Sequence, residues 1–170
     1  MISSKLEDAI NKQINAEIYS AYLYQSMAAY FEAKSLEGFA NWMDVQAEEE
    51  LTHARKFYDY LNERGGRVIL ASIDAPDVEW EAPIEAFKEA YAHEQKVTAM
   101  INDLVDLAIE ENDHATRSFL QWFVDEQVEE EASVEEIIDK MDMIGDSGNG
   151  LYMFDNKIGE RAFVDETKEE

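Results

Sequence analysis

A carboxylate and an imidazole stand three residues apart in the stretch QAEEELTHARKF, which begins at Gln46. If this stretch is helical, Glu50 and His53 lie on one face, because residues three apart are neighbours on a helix surface. Carboxylate oxygens and an imidazole nitrogen together are suitable ligands for a divalent metal ion. Taken alone, however, a run of glutamates is most simply a solvent-exposed surface. Patterns in the rest of the chain must therefore distinguish a metal-binding face from an exposed one.

Each of four predicted helices carries polar residues in the middle of an otherwise apolar stripe. In the first, Glu17 lies three residues after Ile14 and four before Ala21, so it shares their face. The interrupting residues of the other helices are Gln46, Glu49, Glu50 and His53 in the second, Glu94 in the third, and Gln127 and Glu130 in the fourth. Interruptions at one height predict a polar layer at the centre of a helical bundle.

An offset of 77 residues relates the two halves of this pattern. The pairs that it relates are Glu17 and Glu94, Glu49 and Glu126, Glu50 and Gln127, and His53 and Glu130. The offset therefore indicates two copies of one helical hairpin, each of which brings polar residues to the bundle centre.

Carboxylates in such a layer need neutralising partners, since an unpaired buried charge is costly. No lysine or arginine lies on the four stripes near mid-height, so protons or bound cations must neutralise the acids. Two divalent cations would balance the charges of Glu17, Glu50, Glu94 and Glu130, which favours a di-iron or di-manganese site. Structural zinc prefers thiolates and more histidine, and calcium usually binds in loops. A structural or partner-binding bundle with protonated acids is the alternative.

Capping residues, glycine and proline mark the helices that must position these side chains. Serine and aspartate can cap a helix N-terminus, proline suits the first turn, and glycine can end a helix in the left-handed conformation. These signals are Ser4 with Glu7 as a capping box, Ser35, Gly65, Pro83, Asp113 and Gly145. The predicted helices cover residues 4–34, 36–64, 83–111 and 114–144, with a short fifth helix at 149–159 and a tail at 160–170.

Connection lengths predict how the helices are arranged. The first and third connections are short, which predicts two antiparallel hairpins. The second, GRVILASIDAPDVEWEA, can cross the length of a bundle and place the third helix parallel to the second. We therefore predict an all-α, four-helix bundle with a long crossover and a short C-terminal fifth helix, in one domain of residues 1–170.

Composition limits the possible partners and compartment. The 39 acidic and 14 basic residues give a formal net charge of −25, which disfavours nucleic-acid binding. The absence of cysteine excludes disulfides, thiolate centres and iron–sulfur clusters. The N-terminus lacks a signal-peptide pattern, and no apolar run approaches the length of a membrane span. We expect a cytoplasmic protein without membrane or nucleic-acid partners.

Five segments, in order along nearly the whole chain, resemble the non-haem ferritins of bacteria and archaea. They are NAEIYSAYLYQSMA, QAEEELTHARKFYDYL, HEQKVTAMIND, FLQWFVDEQVEEE and GLYMFDNKI. The resemblance implies a ferritin-like fold and an iron-storage ferroxidase, which oxidises Fe(II) to Fe(III) with O2 or H2O2 and deposits ferric mineral. It also implies a hollow homo-oligomer, typically of about 24 subunits.

The resemblance assigns roles to individual residues. The ligands of the first iron would be Glu17, Glu50 and His53. Those of the second would be the bridging Glu50 with Glu94 and Glu130, beside Gln127. A third iron site would use Glu49, Glu126, Glu129 and the shared Glu130. Tyr24 would donate an electron during oxygen reduction, and Trp122 would assist.

Related di-iron families differ from this chain in identifiable ways. Haem-containing bacterioferritins carry Glu-x-x-His in both halves, whereas the second half here has Gln127-x-x-Glu130, and no haem is expected. Rubrerythrin-like peroxidases usually add a cysteine-bound iron domain, which a chain without cysteine cannot form. A di-iron peroxidase or oxidase without a storage role is the alternative function, and the third-site acids favour storage over it.

Overall fold

The computed structural model describes residues 2–165, which form five α-helices and contain no β-strand. The helices are α1 (Ser4–Ala33), α2 (Glu37–Glu63), α3 (Pro83–Glu110), α4 (His114–Ile144) and α5 (Gly148–Ile158). The all-α prediction with a short fifth helix is confirmed. None of the helices in this range is both long and apolar enough to span a membrane. The last five residues of the predicted tail, 166–170, lie outside the described residues.

Two of the predicted N-terminal capping residues are wrong. The N-cap of α1 is Ser3, whose hydroxyl accepts a hydrogen bond from the Leu6 N–H at 3.4 Å, so Ser4 is the first helical residue instead. Ser35 does not start α2. It adopts a positive φ of 58° and donates its N–H to the carbonyl of Glu32, so it closes the end of α1.

The other helix boundary signals are confirmed. Pro83 occupies the first turn of α3. The Asp113 carboxylate caps α4 by accepting the N–H of Thr116 at 2.9 Å. Gly65, after α2, and Gly145, at the end of α4, have positive φ angles of 73° and 55°. Glycine tolerates this conformation because it has no Cβ.

Aromatic contacts at the two ends of the bundle establish the helix directions. Phe39, near the start of α2, packs on Phe87, near the start of α3, with ring centroids 5.4 Å apart, so these two helices are parallel. Phe57, late in α2, stacks on Phe123, early in α4, at 4.0 Å, so these two are antiparallel. Because α1 packs mainly on α2, and α3 on α4, the four-helix bundle with its long crossover is confirmed.

The crossover, residues 64–82, lies along α1 and is held there by polar side chains. Asn15 donates to the carbonyl of Ser72 at 3.1 Å, and Tyr30, further along α1, donates to the carbonyl of Trp80 at 3.0 Å. These bonds satisfy carbonyl groups of a segment without regular secondary structure. The connection therefore spans the bundle in a defined path.

A polar layer divides the hydrophobic core into two clusters. On α1, one cluster ends at Ile14 and the other begins at Leu23, with buried Glu17 and Ser20 between them. The buried polar residues at this level are Gln13, Glu17, Ser20, Gln46, Glu50, His53, Glu94, Gln127 and Glu130. The interruption predicted from the four apolar stripes is therefore present in the structure.

Candidate metal centre

The first hairpin contributes two carboxylates and an imidazole to one compact group. Glu17 comes from α1, and Glu50 and His53 come from the inward face of α2; all three are buried. One oxygen or nitrogen atom from each lies within 4.8 Å of the others. Glu50 Oε2 is 3.6 Å from His53 Nδ1, which confirms that the three-residue spacing places both groups on one face.

Two buried oxygens in this group have no hydrogen-bond partner among residues 2–165. They are Oε2 of Glu17 and Oε2 of Glu50. The other oxygen of Glu17 accepts a bond from the Gln13 side-chain amide at 2.8 Å. Buried acceptors are normally satisfied, and leaving one unsatisfied costs about 1–3 kcal/mol or more when it is charged. Unsatisfied carboxylate oxygens grouped with an imidazole are suitable ligands for a divalent cation.

The second hairpin supplies Glu94 from α3 and Glu130 from α4, both buried. Glu94 accepts the hydroxyl of Tyr24 and the side-chain amide of Gln127, the latter at 3.2 Å. Glu130 accepts the side-chain amide of Gln46 at 2.6 Å. These donors are neutral, so they orient the two carboxyl groups but do not supply a positive charge to balance them.

The electrostatics of the four carboxyl groups favour neutralisation. Burial is the main cause that raises the pKa of each one, and it does so strongly for Glu17, Glu50 and Glu130. A neighbouring carboxylate raises the pKa of each of these three further. The pKa of Glu94 is also raised, although hydrogen bonds from Tyr24 and Gln127 oppose the effect of burial. Cations that bind here must displace protons, so binding is coupled to proton release.

Tyr24 lies one hydrogen bond from the centre and is fully buried. Burial, followed by the charge of Glu94, raises the pKa of its phenol well above the ordinary value. Its ring meets that of Trp42 edge to face at 6.4 Å. The neutral phenol therefore has a fixed orientation, with Glu94 as the acceptor for its proton.

The residues predicted for a third site are only partly brought together. Among the described residues, a second group with atoms within 4.8 Å consists of His53, Glu126 and Glu130, and His53 Nε2 is 3.8 Å from Glu126 Oε1. Glu49 lies outside this group and forms a salt bridge with Arg161. Glu129 is exposed and belongs to neither group. Trp122 packs edge to face on the His53 ring at 5.4 Å.

Two residues at the site were missed by the sequence analysis. Gln13 precedes Glu17 by four residues, so helical spacing contained a signal for it. Arg161 lies beyond α5 and contacts Glu49 across 112 residues of chain, so no local pattern indicated it. Arg161 thus brings a positive charge to Glu49 from the C-terminal segment, although it belongs to none of the four stripes.

Comparisons with known proteins agree with this geometry. The family model described as the ferritin-like domain matches residues 7–144. The bacterial non-heme ferritin of Staphylococcus saprophyticus is 45% identical over 163 residues, which are 96% of this chain and 98% of that protein. That of Staphylococcus aureus strain MRSA252 is 42% identical over 166 residues, or 98% of this chain and 100% of that protein.

Solved structures of an archaeal ferritin share both fold and sequence. The open-pore ferritin of Archaeoglobus fulgidus has a TM-score of 0.94 and 51% identity, covering 95% of this chain and 100% of that chain. A closed form of the same ferritin, engineered by site-directed mutagenesis, has a TM-score of 0.95 and 51% identity, covering 96% and 100%. The buried acid layer, the bundle with its long crossover and these similarities show that the chain belongs to the ferritin family.

Proposed function

We propose that this protein is an iron-storage ferritin with ferroxidase activity, for which Fe²⁺ is the substrate and O2 or H2O2 the oxidant. The observation that carries the proposal is the buried group of Glu17, Glu50 and His53, in which two carboxylate oxygens find no hydrogen-bond partner in the described part of the chain. Carboxylates favour Fe³⁺ over Fe²⁺ because the harder, more highly charged ion gains more from anionic oxygen ligands. They therefore make the loss of an electron from bound iron more favourable.

Within this proposal each residue has its own role. Glu17 and His53 bind one Fe²⁺, Glu94 and Glu130 bind the other, and Glu50 bridges the two. Gln13, Gln46 and Gln127 orient carboxylates by donating hydrogen bonds to Glu17, Glu130 and Glu94. A tyrosine that gives up an electron also loses its phenolic proton, and Glu94 is placed to accept that proton from Tyr24. We retain Glu49, Glu126, Glu129 and Glu130 as the proposed third iron site.

Storage requires a container, so we also propose that the chain assembles into a hollow homo-oligomer of about 24 subunits, as is typical of the family. Large apolar side chains that are exposed on the single chain would be available for burial on self-association. Those in the crossover and α5 include Leu70, Val78, Tyr152 and Met153. We place the protein in the cytoplasm and treat residues 1–170 as one domain.

The proposal is tested by loading the metal-free, sized assembly with Fe²⁺ under anaerobic conditions and then adding oxygen. Storage predicts rapid oxidation of about two irons per chain, followed by retention of many more irons within the same particle. Sedimentation with iron and protein detection measures both the assembly size and the retained iron. A small particle that turns over Fe²⁺ but retains only a few irons per chain would contradict storage and favour the peroxidase or oxidase alternative.

A pair of neighbouring substitutions separates the site from general charge effects. Glu50→Ala removes the proposed bridging ligand. Glu48→Ala removes one carboxylate from the exposed face of the same helix and is the matched control. The site assignment requires the first variant to lose rapid oxidation and the second to retain it; equal behaviour of the two variants would contradict it.

A further inference from the structure

The short helix α5 is docked closely against the first turn of α2. A Cβ atom added at Gly38 would lie 1.7 Å from the carbonyl oxygen of Asp155, so only glycine permits this approach. The buried carboxylate of Asp155 accepts the N–H of Phe39 at 2.9 Å and thereby satisfies one free N–H in the first turn of α2. The chain that follows α5 therefore starts from a fixed point on α2.

That chain continues along α2 toward the polar layer. The Asn41 side-chain amide donates to the carbonyls of Gly159 at 3.3 Å and Arg161 at 2.9 Å. These bonds hold the backbone of residues 159–161 against α2. Side chains on this segment can consequently reach residues one or two turns further along the helix.

The side chain of Arg161 reaches two polar residues on α2. Its Nη1 donates to Gln46 Oε1 at 2.8 Å, its Nη2 donates to Glu49 Oε2, and its guanidinium lies over the ring of Trp42 at 4.6 Å from the centroid. The side chains of Arg161 and Glu49 are 25% and 16% exposed, so water screens the pair only in part. This is a fixed, charge-assisted contact of a kind stronger than an ordinary surface ion pair.

The contact also connects to the metal centre. The Gln46 amide that accepts from Arg161 through its oxygen donates through its nitrogen to Glu130 at 2.6 Å. Arg161 therefore fixes which way this amide faces, because a positive group can only meet the oxygen end. Only the side chain of Gln46 therefore lies between the Arg161 guanidinium and Glu130, a proposed iron ligand.

We propose that Arg161 is a positioning residue that gates the third cation site. Its guanidinium binds the Glu49 carboxylate until an incoming cation displaces the guanidinium. This inference rests on the proposed function, because it concerns iron that binds beside the two-iron centre. Guanidinium and metal ion compete for the same carboxylate, so the third site is weaker than its ligands alone would make it. The competition also couples occupancy of that site to the position of residues 159–161.

The test is a calorimetric titration of the metal-free assembly with Zn²⁺, which binds oxygen and nitrogen ligands but undergoes no redox reaction. The wild type should bind two equivalents tightly and a third more weakly. In Arg161→Gln the third equivalent should bind about tenfold more tightly, which matches the loss of one hydrogen-bonded ionic competitor. Arg161→Lys retains the positive charge and should give a third affinity between the two.

Arg55→Gln is the matched control. Like Arg161→Gln, it removes one positive charge, in this case from α2. Arg55, however, is exposed and paired with Asp59 on the outer surface. Its third-site affinity should equal that of the wild type. An Arg161→Gln protein whose third affinity is unchanged, lower, or raised no more than that of Arg55→Gln would overturn the proposal.

Fluorescence gives a second readout that does not depend on the heat of binding. The chain has three tryptophans, so Trp80→Phe with Trp122→Phe leaves Trp42 as the single tryptophan, whose emission is excited selectively at the red edge of tyrosine absorption. Displacement of Arg161 from the Trp42 ring should produce a change in emission at the third equivalent of Zn²⁺. That step should be missing when Arg161→Gln is added, and its persistence there would count against gating by this residue.

The two proposals fail in different ways. If the wild type lacks two tight Zn²⁺ equivalents and does not oxidise Fe²⁺, the proposed function is wrong, and the gating inference falls with it. If two tight equivalents and iron oxidation are present but the Arg161 variants do not change the third affinity, only the gating inference is wrong.

Discussion

At the end of the bundle where α2 stops and α4 starts, Asp113 accepts two hydrogen bonds from the Arg64 guanidinium, at 2.7 and 3.1 Å. The same carboxylate caps α4 through the N–H of Thr116. At the centre of the bundle, by contrast, Glu17 and Glu50 each retain a buried oxygen to which no described residue donates a hydrogen bond. Both regions hold carboxylates that are partly or fully removed from water, but only one of them satisfies its charges with protein groups.

The pKa values follow this difference. Hydrogen bonding to Arg64 is the main cause that lowers the pKa of Asp113 to about 2. Burial and neighbouring carboxylates raise the pKa of Glu50 well above its ordinary value. The end of the bundle is therefore a structural ion pair that is complete on folding. The buried carboxylates at the centre are neutralised only when they bind protons or cations, as expected of a cation-binding site.

The largest expected effect comes from removing the ligand shared by both irons. Glu50→Ala should slow the rapid phase of Fe²⁺ oxidation by more than about 100-fold, since substitutions of residues that merely support metal ligands already cost 10–100-fold. Stopped-flow absorbance after mixing with oxygen measures the rate. Asp113→Ala, in the satisfied region, should oxidise Fe²⁺ at the wild-type rate; a large loss there would erase the distinction between the regions.

Stability should respond to metal only through the centre. A redox-inert cation such as Zn²⁺ at about 100–1,000 times its dissociation constant should raise the free energy of unfolding by about 3–4 kcal/mol. Glu50→Ala should lose most of this increase, whereas Asp113→Ala should retain it. Urea unfolding at one fixed protein concentration, with and without metal, gives the comparison. An equal metal response in both variants would mean that the cation binds elsewhere.

The end region should matter for stability without metal. Asp113→Ala removes a helix cap and leaves Arg64 without its bidentate partner, which should cost about 2 kcal/mol. Urea unfolding in the presence of a chelator measures the loss. The conservative substitution Asp113→Asn retains a capping oxygen and should cost less, so the difference between the two variants isolates the cap. Equal costs would assign the whole effect to the ion pair.

The two regions should also make the stability of the folded protein depend on pH in opposite directions, and these effects should be smaller. Asp113 has a lower pKa in the folded protein, so its stabilisation is present above pH 3.8 and is lost as the pH falls from about 4 to about 2. The central glutamates have raised pKa values in the folded protein. Without metal, the folded state keeps protons that the unfolded state releases, so stability decreases as the pH rises above about 4.5.

Chelated protein unfolded over a pH series measures both slopes. Glu50→Gln should flatten the decrease above pH 4.5, because the amide does not titrate. Asp113→Asn should flatten the decrease at acidic pH. If Glu50→Gln leaves the upper slope unchanged, the raised pKa of Glu50 does not contribute to the stability of the metal-free protein.

The main features of the fold were predictable because apolar periodicity and residues that start or end helices are local signals. Apolar stripes, Pro83, Gly65 and Asp113 together defined the helices and their order. Ser35 was misassigned because serine serves equally well in a cap and in a turn, and only the following backbone geometry decides between them. The path of the crossover along α1 depends on bonds from scattered polar residues and had no periodic signal.

The two groups in the centre were predictable to different degrees. Glu17, Glu50 and His53 interrupt apolar stripes, so their burial followed from helix geometry. Whether Glu49, Glu126 and Glu129 come together could not be inferred in the same way, because Glu49 and Glu126 are only half-buried and Glu129 is exposed. There, side-chain direction and the competing partner Arg161 decide the outcome. Long-range contacts of this kind can be identified only in the folded three-dimensional structure.

The arrangement of the chain as two hairpins has a consequence for the kinetics of folding. Each hairpin consists of neighbouring helices, so its contacts are local in sequence and can form quickly. Glu17 and Glu50 belong to one hairpin, and Glu94 and Glu130 to the other, so the acids meet only when the hairpins dock. At neutral pH we therefore expect docking to be the slow step, and we expect cations to accelerate it and to retard its reversal.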